Sequence, residues 1–290
     1  MMEKLRRAWS IAIMCWNVLK LDKELIAFPI LSVLACGLIL ASVAGPLWAS
    51  GQLFGIMELA AGASEQGLSI AMFAIDFTIY FVAYFVMIFF NAGLIACARI
   101  RFAGGDPTVM DGVRASVALL PQIFLWALVT SIVGFLLSRI AEKQESFIGK
   151  LVFGALGAGW AIASFFAVPA LVAEKIGPIE ALKRSVSVIR KTWGEVLISE
   201  VGMSVLSGLI IFPAFLVGFA AVALLEVSPA VSISLFVLIV LWVFTTALIF
   251  STLSTILKTA LYIYATEGKI PDQFDPDVIK NPFGKKDQAA

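Results

Sequence analysis

The sequence predicts an all-α integral membrane protein: six transmembrane helices in three hairpins, each hairpin preceded by a cytoplasmic interfacial amphipathic helix. Three observations carry that reading. Hydrophobic residues make up 61% of the 290-residue chain and charged ones 14%, against about 45–50% and about 25% in soluble domains, so lipid must solvate much of the chain. Six apolar runs are each long enough to cross about 30 Å of hydrocarbon. The basic residues are also unevenly placed. Of the 21 Lys and Arg, all but Arg139, Lys143 and Lys150 fall in the N-terminus, the 99–118 loop, the 174–194 loop and the C-terminal end. By the positive-inside rule both termini are then cytoplasmic, in a multi-pass protein of the cell inner membrane.

The elements follow in order. Residues 3–20 read as the first interfacial helix, with Leu5, Trp9, Ala12 and Trp16 on an apolar stripe and Arg6, Arg7, Ser10 and Asn17 opposite. A charged turn, LKLDKEL, leads into a span over 25–49 whose Pro29 sits in the first turns, where a missing N–H costs little. The second span covers 68–98. In the loop after it, Asp106 is expected to cap a second interfacial helix over 107–118, with Pro107 at its first position. Met110, Val113, Val117 and Leu120 form its short apolar stripe. Spans follow over 119–138 and 147–173, the latter with small residues at four-residue spacing (Gly154/Ala158, Ala155/Gly159) that permit close helix approach.

The third interfacial helix, 178–193, has Leu182, Val186, Ile189 and Trp193 on one stripe. Glu180, Lys183, Arg184, Ser187, Arg190 and Lys191 lie opposite. It passes without a loop into a fifth span over 195–225, expected to bend or break at Pro213, and a sixth span covers 230–265. Residues 1–266 thus read as a single membrane domain and 267–290 as an exposed cytoplasmic tail. At a constant offset of 177, Leu5, Arg7, Ser10 and Trp16 match Leu182, Arg184, Ser187 and Trp193. The recurrence fits either a diverged duplication or a repeatedly used solution.

The chemistry of the chain narrows its function. It contains no His, which removes the commonest general base and metal ligand. Cys15, Cys36 and Cys97 lie in or beside apolar segments without a CxxC pair and read as packing residues. No nucleophile elbow, Walker A loop or HExxH motif is present, so neither an enzyme nor a cofactor is expected. Intramembrane polar residues are costly and are functional candidates by default. Asp76, Asn91 and Glu200 are such residues, as are Thr245, Thr252, Thr255 and Thr259, which share a face of the last span. Asp76 is either a cation or proton site or a residue at the outer interface within reach of water. Glu200 is expected to pair with a basic residue such as Arg99 or Arg101. The threonines either line a hydrated path or bond back to their own helix.

Arg6, Arg7, Arg114, Lys183, Arg184, Arg190 and Lys191 on the interfacial helices are candidates to hold anionic phospholipid headgroups, each worth about 1 kcal/mol near an anionic leaflet. Nucleic acid is excluded as a partner because these charges are spread over membrane-bound segments without an aromatic reading platform. A lipid-engaging scaffold or lipid-handling module is therefore the leading expectation. A small-solute or ion transporter using Asp76, Glu200 and the threonine stripe is the alternative, and a subunit bound to membrane-protein partners a third.

Two stretches carry a resemblance. DKELIAFP (22–29) and LYIYATEGKIPDQFDPDVIKNPF (261–283) resemble a family of uncharacterised prokaryotic six-helix membrane proteins, known only as a domain of unknown function. GPIEALKRSVSVIRKTWGEVL (177–197) is similar to the interfacial helix of a broader group that includes the membrane domain attached to some glycerophosphodiester phosphodiesterases. Their catalytic barrel is absent here, so the resemblance implies a membrane protein without known catalytic residues.

Overall fold

A computed structural model describes residues 2–49, 65–142, 144 and 146–276. Helices account for nearly all of them, and no strand occurs among the described residues. The order is α1 (Met2–Leu21), a 3-10 turn (Lys23–Ile26), α2 (Ala27–Ala49), α3 (Glu65–Phe102), α4 (Val109–Ala118), α5 (Leu120–Glu142), α6 (Phe147–Ala163), α7 (Ala167–Glu174), α8 (Pro178–Ala223) and α9 (Pro229–Glu267). Among the described residues six segments are long and apolar enough to cross a membrane: Lys23–Ser42, Phe73–Phe102, Leu120–Glu142, Ile148–Glu174, Glu200–Ala223 and Pro229–Glu267. Large apolar side chains stand exposed all along them, among them Leu38, Leu151, Phe219 and Leu238. Apolar surface on that scale suggests a multi-pass membrane protein.

The chain divides into two compact units. The first comprises Met1–Ala27, Leu94–Gly112 and Ser187–Ala290. In it α8 and α9 run antiparallel, tied at three levels. Ser232 Oγ donates to the Ala221 carbonyl at 2.6 Å, the Trp242 indole N–H to the Ile210 carbonyl at 3.1 Å, and Ser254 Oγ to Glu200 Oε1 at 2.8 Å. Helix α8 runs unbroken through Pro213, although proline removes one intrahelical bond. The Trp242 tie attaches α9 to α8 within one turn of that gap. Helix α1 packs on α9, burying Ala8, Ile11, Ala12, Cys15, Val18 and Leu19. It also touches α8 at Gly202, where an added Cβ would lie 2.5 Å from the Ala8 Cβ. The expected stripe on α1 is therefore divided: Ala12 is buried, whereas Trp9 and Trp16 face outward.

Two expectations about this unit are corrected. Asp106 does not cap the second short helix. Thr108 does, in a reciprocal capping box: its N–H donates to Asp111 Oδ2 at 3.0 Å and its hydroxyl accepts the Asp111 N–H at 3.3 Å. Asp106 is taken instead by Arg101 Nη2 at 2.6 Å, through a turn in which Gly104 has a φ of 86°. The tail, expected to be exposed from residue 267 on, folds back at its start. Pro271 and Phe274 are buried, the Phe274 ring meets Phe102 edge-on at 5.8 Å, and the Asp275 N–H reaches Met14 Sδ at 3.2 Å. An aromatic side chain with apolar surface within reach is drawn from water despite the aspartates beside it. Residues 277–290 of the tail lie outside the described residues.

The second unit comprises Phe28–Gly93 and Val113–Val186. Helices α3 and α5 meet along an aromatic seam in which Phe73, Phe77 and Tyr80 surround Phe135, and Phe81 and Phe85 meet Phe124. Helix α5 packs on α6 through Trp126 and Trp160, stacked at 6.1 Å. The expected span over 147–173 is interrupted at Ser164–Phe166, between α6 and α7. The Ser164 hydroxyl bonds back to the Trp160 carbonyl at 2.7 Å, and the freed Phe166 N–H donates to the buried Ser185 hydroxyl at 2.9 Å. Pro169 then falls in the first turn of α7, where it forfeits no helical bond.

Candidate functional site

The candidate residues are distributed over both units. In the first, Arg6, Arg190 and Lys191 are exposed, while the Arg7 side chain lies outside those described. Lys20 reaches over the exposed Trp16 ring with its ammonium 5.8 Å from the centroid, a cation–π geometry. Glu200 pairs with neither Arg99 nor Arg101 but with α9. One carboxylate oxygen accepts from Ser254 and lies 3.8 Å from Lys258 Nζ. Seen from α9, Ser254 and Lys258 are one turn apart and both reach the same carboxylate, an i, i+4 pairing.

The threonine stripe behaves in two ways. Thr245 is exposed, whereas Thr252, Thr255 and Thr259 are buried. Thr252 donates to the Leu248 carbonyl and Thr259 to the Thr255 carbonyl, each at 2.8 Å. Hydroxyls satisfied by their own helix do not need a ligand. Cys15 is fully buried, and burial, reinforced by the Glu200 carboxylate, raises its thiol pKa. It stays protonated and unreactive, as a packing residue would.

In the second unit Lys183 and Arg114 are exposed. Arg184 is engaged, its Nε donating to Glu174 Oε1 at 2.7 Å across the turn that joins α7 to α8. That turn passes through Lys175, in the left-handed region at φ 55°. Asp76 is bonded to Arg139 Nη2, and Arg139 also reaches Glu142 at 3.3 Å and lies over the Phe135 ring. Both side chains are well over a third exposed. Asn91 is half-buried on the same helix as Asp76.

Several interactions lay outside the sequence reading. Asp22, in the charged turn after α1, is almost fully buried and bound by Arg101. Tyr80 and Tyr84 form a hydroxyl pair at 3.3 Å, and Ser131 is buried in α5. Asp22 carried one usable signal, a carboxylate between two apolar helices in a chain poor in charge. Its partner stands 79 residues away, beyond any local pattern. Among the described residues no three acidic, Cys or His side chains gather as a metal site.

A family model, described as a family of unknown function (DUF6159), matches residues 70–271. No curated protein and no solved structure matches the chain.

Proposed function

We propose, from the premise that the chain belongs to this family of unknown function, that it is a non-enzymatic membrane protein engaging anionic phospholipid headgroups as a scaffold or lipid-handling module. In this reading its six apolar segments cross the inner membrane as three hairpins. The short helices before them lie in the cytoplasmic interface, and both termini are cytoplasmic.

The supporting observation is the outer face of α1. Trp9 is 53% exposed, and Ile13 and Trp16 are exposed with it on a helix whose other face is packed. Arg6 and Lys20 lie on the same side, one turn to either end. Indole rings flanked by cations suit the headgroup level of a bilayer, where ring and charge are satisfied together. The exposed Lys183, Arg190 and Lys191 of α8 extend the same chemistry. The similarity to a phosphodiesterase membrane domain carries no part of this proposal.

Native mass spectrometry from mild detergent tests it. Retained anionic phospholipid is expected, with occupancy falling when Arg6, Lys20, Lys183, Arg190 and Lys191 are changed together to Gln. Equal retention by the variant overturns the reading. The transport alternative is weaker because its residues are occupied, Asp76 by Arg139 and Glu200 by Ser254 and Lys258. The complex-subunit alternative loses one argument, since the tail begins by packing against its own chain.

A further inference from the structure

The second unit holds polar groups along the seam of α3 and α5 that the lipid reading does not use. Asp76, Tyr80 and Tyr84 succeed one another at four-residue spacing on one face of α3. Opposite them on α5 stand Arg139, bonded to Asp76, and Phe135, whose ring lies 6.0 Å from that of Tyr80. Gly134 makes room there, because a Cβ at that position would come within 2.8 Å of the Tyr80 hydroxyl. Moving down α3 from Asp76 to Tyr80 moves back along α5 from Arg139 to Phe135, so the helices run antiparallel. Continued by one further step, the same register sets Tyr84 at the level of Ser131, a residue on the same stripe of α5 as Phe135 and Arg139.

Ser131 is 0% exposed, and its hydroxyl has no hydrogen-bond partner among the described residues. The usual recourse of a helical serine is the carbonyl one turn back. Here that carbonyl, of Ala127, is already approached by the Thr130 hydroxyl at 3.1 Å. Tyr84 accepts the hydrogen bond from Tyr80, which leaves its own proton to donate. Two hydroxyls at one level, one with an unused proton and the other orphaned, are the partners a buried water needs.

We propose that the α3–α5 seam binds ordered water between Tyr84 and Ser131, so that Asp76, Tyr80, Tyr84 and Ser131 form a hydrated route into the apolar part of the protein. Water enters at the accessible Asp76–Arg139 pair and ends at Ser131. The route is independent of the basic residues invoked for lipid binding, so loss of headgroup retention leaves it untouched.

Thiol accessibility in the full-length protein tests it. A cysteine attacks a methanethiosulfonate as its thiolate, which forms only where water reaches it, giving a methyl disulfide and releasing methanesulfinate. Ser131→Cys and, one turn deeper on the same stripe, Ala127→Cys are treated with methyl methanethiosulfonate in proteoliposomes. Labelling is read by peptide mass spectrometry, with buried Cys15 as the internal reference. Cys at 131 is expected to react at least about tenfold faster than Cys at 127; equal rates overturn the proposal. If the Ser131→Cys protein does not fold, Ser131→Ala decides. A lower melting temperature indicates a lost water bridge and supports the route. A rise or no change shows the hydroxyl was dry and overturns it.

Discussion

Arg101 grips Asp22 with both arms of its guanidinium, Nε to Oδ2 and Nη2 to Oδ1, joining the end of α3 to the turn after α1. The Asp22 side chain is 2% exposed and that of Arg101 18%. Burying a carboxylate is tolerable only because the bidentate fork replaces its water. The asymmetry predicts the order of the damage. Arg101→Ala strands a buried anion and is expected to cost about 3 kcal/mol. Asp22→Asn leaves Arg101 its second acceptor, Asp106, and is expected to cost about half as much. The double variant recovers part of the loss, as coupled partners do. Unfolding in detergent, followed by helical circular dichroism, checks the order; additive costs would show the two residues uncoupled.

The crossing of α1 and α8 depends on the missing side chain of Gly202. Its added Cβ would sit 2.5 Å from the Ala8 Cβ, also close to the Ala8 backbone, and neither atom has a rotamer to escape into. Gly202→Ala is expected to destabilise by about 1–3 kcal/mol, an overpacking cost. Ala8→Gly on the same chain should restore much of it by reopening the space. Failure of the second change to rescue the first would place the defect elsewhere.

These two contacts mark where the sequence stops being informative. Helix identity and the apolar segments follow from composition and run length, which are local properties. So does the uneven placement of Lys and Arg. What stayed hidden is pairing across the chain: Asp22 with Arg101, Ser185 with the Phe166 N–H, and Glu200 with Ser254 rather than an arginine. Asp106 shows the same thing at short range. Its position before Pro107 suits a cap, but a guanidinium offers a carboxylate more than a backbone N–H does. The outward face of α1 was half legible, because a stripe of apolar residues does not reveal which of them meets protein and which meets the surroundings.

The cap itself is open to test. Thr108→Ala removes the acceptor for the Asp111 N–H and should cost about 1 kcal/mol. Thr108→Ser keeps the hydroxyl and should cost little. The effect of Asp106→Ala should instead depend on Arg101, vanishing in an Arg101→Ala background. If Asp106→Ala costs the same in both backgrounds, its carboxylate has a role apart from Arg101.

The fold-back of the chain after α9 buries one large ring. Helix α9 ends at Gly268, in the left-handed conformation at φ 70°, with its N–H bonded to the Tyr264 carbonyl at 3.0 Å. Glycine reverses the chain there at little strain. Six residues on, Phe274 is only 3% exposed and packs edge-on against Phe102, the last residue of α3. Among the described residues the segment is also tied by the Asp275 N–H to the Met14 sulfur and by local turns. A sulfur acceptor is weak, whereas Phe274 is a large apolar side chain buried in this segment. Phe274→Ala is expected to cost about 3 kcal/mol in local docking and to make the chain after Gly268 readily cleaved by a protease added to the detergent-solubilised protein. Phe274→Leu retains apolar area without the edge-on contact and should give intermediate cleavage. Helicity should change little in either variant, since the residues released lie beyond α9. Cleavage as slow in Phe274→Ala as in the unaltered protein would mean the segment is held by something other than this ring.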